Sequence, residues 1–124
     1  MSIPFDKIKT FYNFFFFFFT LDAPSPPAAP TTSQVLSTTA LVQWRAPFDG
    51  NSPIISYRLQ YRKLGDQDWS VFSDSIGQTI TVVEDLEPSS SYRFRVSATN
   101  EIGASDMGEQ TDLVKTLAEG IFFF

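Results

Sequence analysis

The chain has 124 residues, a formal net charge of −5, and neither cysteine nor histidine. That length suits one ordinary domain and is short for two. Without Cys or His there can be no disulfide, no nitrogen- or sulfur-ligated zinc, and no Ser–His–Asp or Cys–His catalytic site, and the acidic balance argues against a nucleic-acid partner, which needs a basic footprint.

Residues 1–22 come first and contain an unbroken run of phenylalanine from Phe14 to Phe19. The apolar stretch around it spans roughly eleven residues, against about 20 for a membrane-crossing helix. Two readings stay open. Lys7 and Lys9 ahead of the Phe run fit a signal peptide, although the bonds around Leu21, Asp22 and Ala23 are a poor cleavage site. A repeated codon, or reading into non-coding sequence, would produce the same homopolymer. A second Phe run, Phe122–Phe124, ends residues 118–124. Both ends are therefore expected to be disordered or artefactual and are set outside the fold.

Residues 23–30 hold four prolines. They cannot form a helix and favour an extended, semi-stiff lead-in to a domain. Residues 31–117 then read as short strands separated by turn signals, rich in Thr, Val, Ile, Tyr, Phe and Trp. A first strand is expected near residues 34–37. Residues 40–44 form the next, with Ala40, Val42 and Trp44 inward. Pro47 ends it, and residues 49–53 are a turn cluster.

Residues 54–63 alternate cleanly, as a half-buried antiparallel strand should. Tyr57, Leu59 and Tyr61 share one face, and Arg58, Gln60 and Arg62 the other. After a turn at Gly65 and Asp66, strands are expected over residues 69–73 and 78–84. In the second of these, periodicity favours Ile80 and Val82 as the buried pair over Thr81 and Val83. Residues 91–100 are the clearest strand, with Tyr92, Phe94, Val96 and Ala98 on one face and Arg93, Arg95, Ser97 and Thr99 on the other. A turn follows over residues 100–105, in which Gly103 is expected to supply a backbone shape that other residues resist. The last strand is placed at residues 110–116, with Leu113 or Val114 inward. Seven short strands with turns at this spacing suggest a Greek-key sandwich.

The pattern resembles a fibronectin type III domain. Trp44 is followed by Ala46 and Pro47, then by Asp49-Gly50-Asn51-Ser52-Pro53-Ile54 and Tyr57. Leu86-Glu87-Pro88 precedes Tyr92 at the spacing of that family's tyrosine corner, and Phe94, Val96, Ala98, Asn100 and Gly103 complete the match. The resemblance implies an all-β fold, a seven-stranded immunoglobulin-like β-sandwich. It assigns structural roles to Trp44, Tyr57, Leu86, Pro88, Tyr92 and Val96, with the Tyr92 hydroxyl reaching back to backbone near Leu86 and Pro88. It also implies that Val83, three residues before Leu86, faces inward, against the periodicity. The Asp49–Ile54 stretch and the loop after Asn100 are most similar to type III repeats of neural adhesion receptors of the Down syndrome cell adhesion molecule and sidekick type.

The function this implies is non-catalytic: an interaction or spacer module, as a fragment of a multidomain cell-adhesion receptor. No cofactor or metal site is expected. The sequence-close carboxylates Glu84, Asp85 and Glu87 lack the alternating oxygen pattern of a calcium loop and read as a solvated turn. Expected partners are proteins, through homophilic or heterophilic adhesion or contact with neighbouring immunoglobulin-like or type III modules. The module would lie in the extracellular part of a membrane protein. A cytoplasmic, muscle-type (titin-like) structural module and an accessory module of a secreted enzyme are the alternatives.

One candidate binding face is visible. Arg58 and Arg62 point outward on one strand, Arg93 and Arg95 on another, and in this family those strands are neighbours. They would form a site for an acidic partner, such as a sulfated glycan or an acidic module. The other reading is a solvated face whose arginines pair locally with Asp68 or Glu84.

Overall fold

The computed structural model describes residues 20–120. The readings of the Phe14–Phe19 run as signal or artefact, and of Phe122–Phe124, lie outside the described residues.

Two antiparallel sheets face each other. One holds β1 (Thr31–Ser33), β2 (Ala40–Gln43) and β5 (Ile80–Val83) in the order β1-β2-β5. The other holds β3 (Ser56–Lys63), β4 (Ser70–Ile76), β6 (Ser91–Thr99) and β7 (Val114–Lys115) in the order β4-β3-β6-β7. The architecture is the seven-stranded β-sandwich expected, and no helix occurs among the described residues.

The period-two pattern explains which faces meet. Val42 and Val83 from the first sheet, and Leu59, Phe94 and Val96 from the second, are fully excluded from solvent. At one end Trp44 meets the Tyr57 ring edge-on, with centroids 5.4 Å apart. At the other end Leu86 and Tyr92 close the core. Apolar side chains from both inner faces thus fill one continuous core, the main stabilising term of such a fold.

The register of β5 corrects the periodicity reading. Ala40 pairs with Val83 and Val42 with Thr81. Directly paired residues project to the same side of a sheet, so the inward Ala40 and Val42 carry Val83 and Thr81 inward with them. Val83 is completely buried, whereas Ile80 and Val82 are 42% and 47% exposed. Four residues are too few for alternation to choose a face, and the partner strand decides.

The ends of several strands also move. The first strand lies at Thr31–Ser33, not at residues 34–37. Gln34 takes a positive φ of 46° that ends the ladder, and the Leu36 N–H then turns back to the Thr39 carbonyl at 2.9 Å. β4 runs on to Ile76 through irregular pairing around Leu59. β7 shrinks to Val114–Lys115, for a chemical reason. Ahead of it, the Phe94 N–H donates to Thr111 Oγ1 and the Ala98 N–H to Ser105 Oγ, at 3.1 and 3.0 Å. Side-chain hydroxyls there replace the carbonyls a regular ladder would use. The segment follows the β6 edge without pairing continuously.

The proline segment lies against the sandwich. Pro24, Pro27 and Pro30 are buried, and Pro26 is exposed. A buried position every third residue is the repeat of a polyproline II helix with one face covered. The Asp22 N–H donates to the Gly50 carbonyl and the Ser25 N–H to the Phe48 carbonyl, each at 2.9 Å. Gly108 makes the close approach possible, since a Cβ there would stand 2.0 Å from the Pro27 carbonyl oxygen.

Candidate functional site

Pairing of β3 with β6 brings the four arginines onto the outer face of one sheet. Arg62 stands directly opposite Arg93, Arg95 opposite Gln60, and Arg58 opposite Ser97. Arg58 is exposed and the other three are half-buried. Lys115 of β7, paired with Ser91 of β6, extends the same face by the alternation of side chains.

Local pairing with Asp68 or Glu84 does not occur. The ion pair found among the described residues joins Lys63 to Glu87, and none involves these arginines. Arg62, Arg93 and Arg95 are held by neutral groups instead. The Arg62 and Arg95 guanidinium carbons lie 4.9 and 4.1 Å from the centroid of the Trp69 ring. Arg95 Nε donates to Gln60 Oε1 at 2.8 Å, and Arg93 Nη1 donates to the Thr111 carbonyl at 2.9 Å. Burial, and then the positive charge of Arg62, hold the Arg95 pKa below the ordinary guanidinium value.

Trp69 is the member of this face that the sequence does not single out. In the sequence it appears only as the start of a strand. Its role depends on Tyr61 pairing with Ser70, which sets Trp69 beside Arg62, and that register cannot be read from β4 alone.

The residues given structural roles are placed as follows. Tyr57, Leu86, Tyr92 and Val96 lie in the core, and Pro88 is half-buried. Trp44 is buried too, and its Nε1 has no hydrogen-bond partner among the described residues. The Glu87 N–H donates to the Tyr92 hydroxyl at 2.8 Å. Thr116, 3% exposed, reinforces this corner by donating through Oγ1 to the Glu87 carbonyl at 2.6 Å and accepting from the Ser90 N–H at 3.0 Å.

The turn after β6 works differently from expectation. Gly103 has no positive φ and nothing within 4 Å of a Cβ position. Asn100 makes the turn, because its Oδ1 accepts from the N–H groups of Ile102 and Gly103 at 2.9 and 3.1 Å. An Asx-type bond of this kind replaces the conformational role assigned to glycine. Asn100 Nδ2 meanwhile donates to the carbonyls of Asp22 and Asp49, at 2.7 and 2.8 Å. Glu84, Asp85 and Glu87 are all exposed.

A sandwich of this topology defines the class of immunoglobulin-like β-sandwich modules. Residues 25–114 match the family model described as the fibronectin type III domain, and the chain belongs to that family. It is 40% identical over 102 residues to protein sidekick-1 of Gallus gallus, a match covering 79% of this chain and 5% of that protein. It is 34% identical over 100 residues to contactin-3 of Homo sapiens, covering 76% and 10%. Among solved structures, domains A168–A170 of titin superpose with a TM-score of 0.73 at 29% identity, over 77% of this chain and 33% of that one. The chain is thus a type III module homologous to domains of cell-adhesion proteins, and it spans a small fraction of the curated relatives it matches.

Proposed function

We propose that the chain is a non-catalytic contact and spacing module in the extracellular part of a multidomain cell-adhesion receptor. The observation that carries this is the 40% identity to sidekick-1 over 79% of this chain. Its partners are proteins, met through homophilic or heterophilic contact or as neighbouring immunoglobulin-like and type III modules. An acidic glycan is a further partner of the arginine face. The lack of His and Cys removes the commonest general base and the thiol nucleophile, which supports the non-catalytic reading.

The likeness to titin is consistent with the competing reading of an intracellular, muscle-type spacer without singling it out, and one experiment separates the two. An antibody against residues 20–120 is applied to intact cells expressing the parent protein. Surface labelling is the expected result. Labelling only after permeabilisation overturns the receptor reading in favour of the intracellular one.

A further inference from the structure

The arginine face has no ion-paired carboxylate among the described residues, although Asp66 borders it beside Arg62 and Arg93. The protein carries a net charge of −5, yet no carboxylate forms an ion pair with Arg58, Arg62, Arg93 or Arg95. Like charges directly opposite each other on a sheet destabilise it, and Arg62 and Arg93 are such a pair. An anion supplied from outside would relieve that repulsion.

The guanidinium groups are also held in place before any ligand arrives. Trp69 stacks against Arg62 and Arg95, Gln60 accepts from Arg95, and the Thr111 carbonyl accepts from Arg93. Arg62, Arg93 and Arg95 therefore lose less side-chain freedom on binding than free surface arginines would. The guanidinium fork matches two oxygens of one oxyanion.

The shape of the surface narrows the ligand. The cations lie in rows across β3 and β6, on a sheet face indented only by a small, partly open hollow that Arg62 and Arg93 share with Asp66. Such a surface suits an extended polymer with closely spaced anions better than a single small anion. In a chain that faces the cell exterior, the polymer with that chemistry is a sulfated glycan, whose sugars each can carry more than one anionic group.

We infer that the outer face of the β4-β3-β6-β7 sheet binds a sulfated glycan chain through Arg58, Arg62, Arg93 and Arg95, with Trp69 as the platform that orients the middle of the site. The choice of a glycan rests on the extracellular reading above.

The test is binding of the purified chain to immobilised heparin, to unsulfated hyaluronan and to polyglutamate in about 0.15 M salt. Heparin is expected to bind and the other two to bind at least tenfold more weakly, on the order of one lost charge-assisted contact. The double variant Arg62→Gln, Arg93→Gln should weaken heparin binding by roughly tenfold or more. It should also lower the slope of log affinity against log salt by about two, one for each cation removed. Arg45→Gln, which removes one charge elsewhere on the surface, should leave the affinity within about twofold; the thermal midpoint of each variant confirms folding.

No retention of heparin overturns the site. So does a weakening per charge removed that is equal for Arg45→Gln and for the Arg62→Gln, Arg93→Gln double variant, which would mean diffuse attraction. Tighter binding of polyglutamate than of heparin also overturns it, in favour of an acidic protein partner. These measurements use protein in solution. Their failure leaves the cell-surface reading standing, and labelling only of permeabilised cells overturns that reading whatever heparin does.

Discussion

The Tyr92 hydroxyl accepts a hydrogen bond from the Glu87 backbone N–H across 2.8 Å, at the point where the chain passes from one sheet to the other. The crossing backbone leaves the β5 ladder and has no strand partner until β6 begins. A buried N–H without a partner is costly, and the phenol supplies the acceptor while its ring stays in the core at 3% exposure. Thr116, one residue past the end of β7, completes the corner.

Tyr92→Phe keeps the ring and removes the acceptor. The Glu87 N–H is then left without its partner in a part-buried site, and the loss should be about 1–3 kcal/mol. Urea unfolding checks this: the midpoint should drop with the slope unchanged. An unchanged midpoint would show that water replaces the hydroxyl at no cost.

The register of β5 gives a paired prediction. Val83→Ala opens a cavity between the sheets and should cost about 2 kcal/mol or more, from two methyl groups of lost transfer energy plus the void. Val82→Ala trims a half-exposed side chain and should cost well under 1 kcal/mol. Equal costs in thermal unfolding would contradict the pairing of Ala40 with Val83.

How much of this was legible follows from the range of each interaction. Long alternating runs such as Tyr57 to Arg62 and Tyr92 to Thr99 reveal their faces unaided, because every second residue repeats the same message. The short run at Ile80–Val83 does not. The spacing to Leu86 placed Val83 correctly only through the resemblance to type III domains. The arginine face was visible as alternation, yet Trp69 was not, since its position depends on how β4 pairs with β3. The turn at Asn100 was misassigned to Gly103 because a side-chain amide bonding its neighbours leaves no period in the sequence.

Gly108 and Gly103 offer a second contrast. Gly108→Ala would place a Cβ 2.0 Å from the Pro27 carbonyl oxygen. Since that atom is backbone, the proline segment must shift, and about 1–3 kcal/mol should be lost. Hydrogen exchange at Ser25 N–H, now bonded to the Phe48 carbonyl, should quicken as the segment lifts. Gly103→Ala meets open space and should be neutral or stabilise by a few tenths of a kcal/mol, through reduced freedom of the unfolded chain. Loss of stability in both variants would show that Gly103 is constrained after all.

Tyr57 sets a limit at high pH. Burial raises its pKa above the ordinary 10.0, so the folded state holds the phenolic proton more tightly than the unfolded state does. The contribution is fully present below pH 10.0 and is lost as pH rises through the folded value, because unfolding then lets the proton go. Tyr57→Phe keeps the ring that meets Trp44 and removes the titrating group. Thermal midpoints of the two proteins, followed from about pH 9 to about pH 11, should therefore diverge, the wild type falling more steeply. Parallel curves would show that the Tyr57 hydroxyl is solvated well enough to ionise without strain on the fold, and that the Trp44 end of the sandwich is more open than its packing implies.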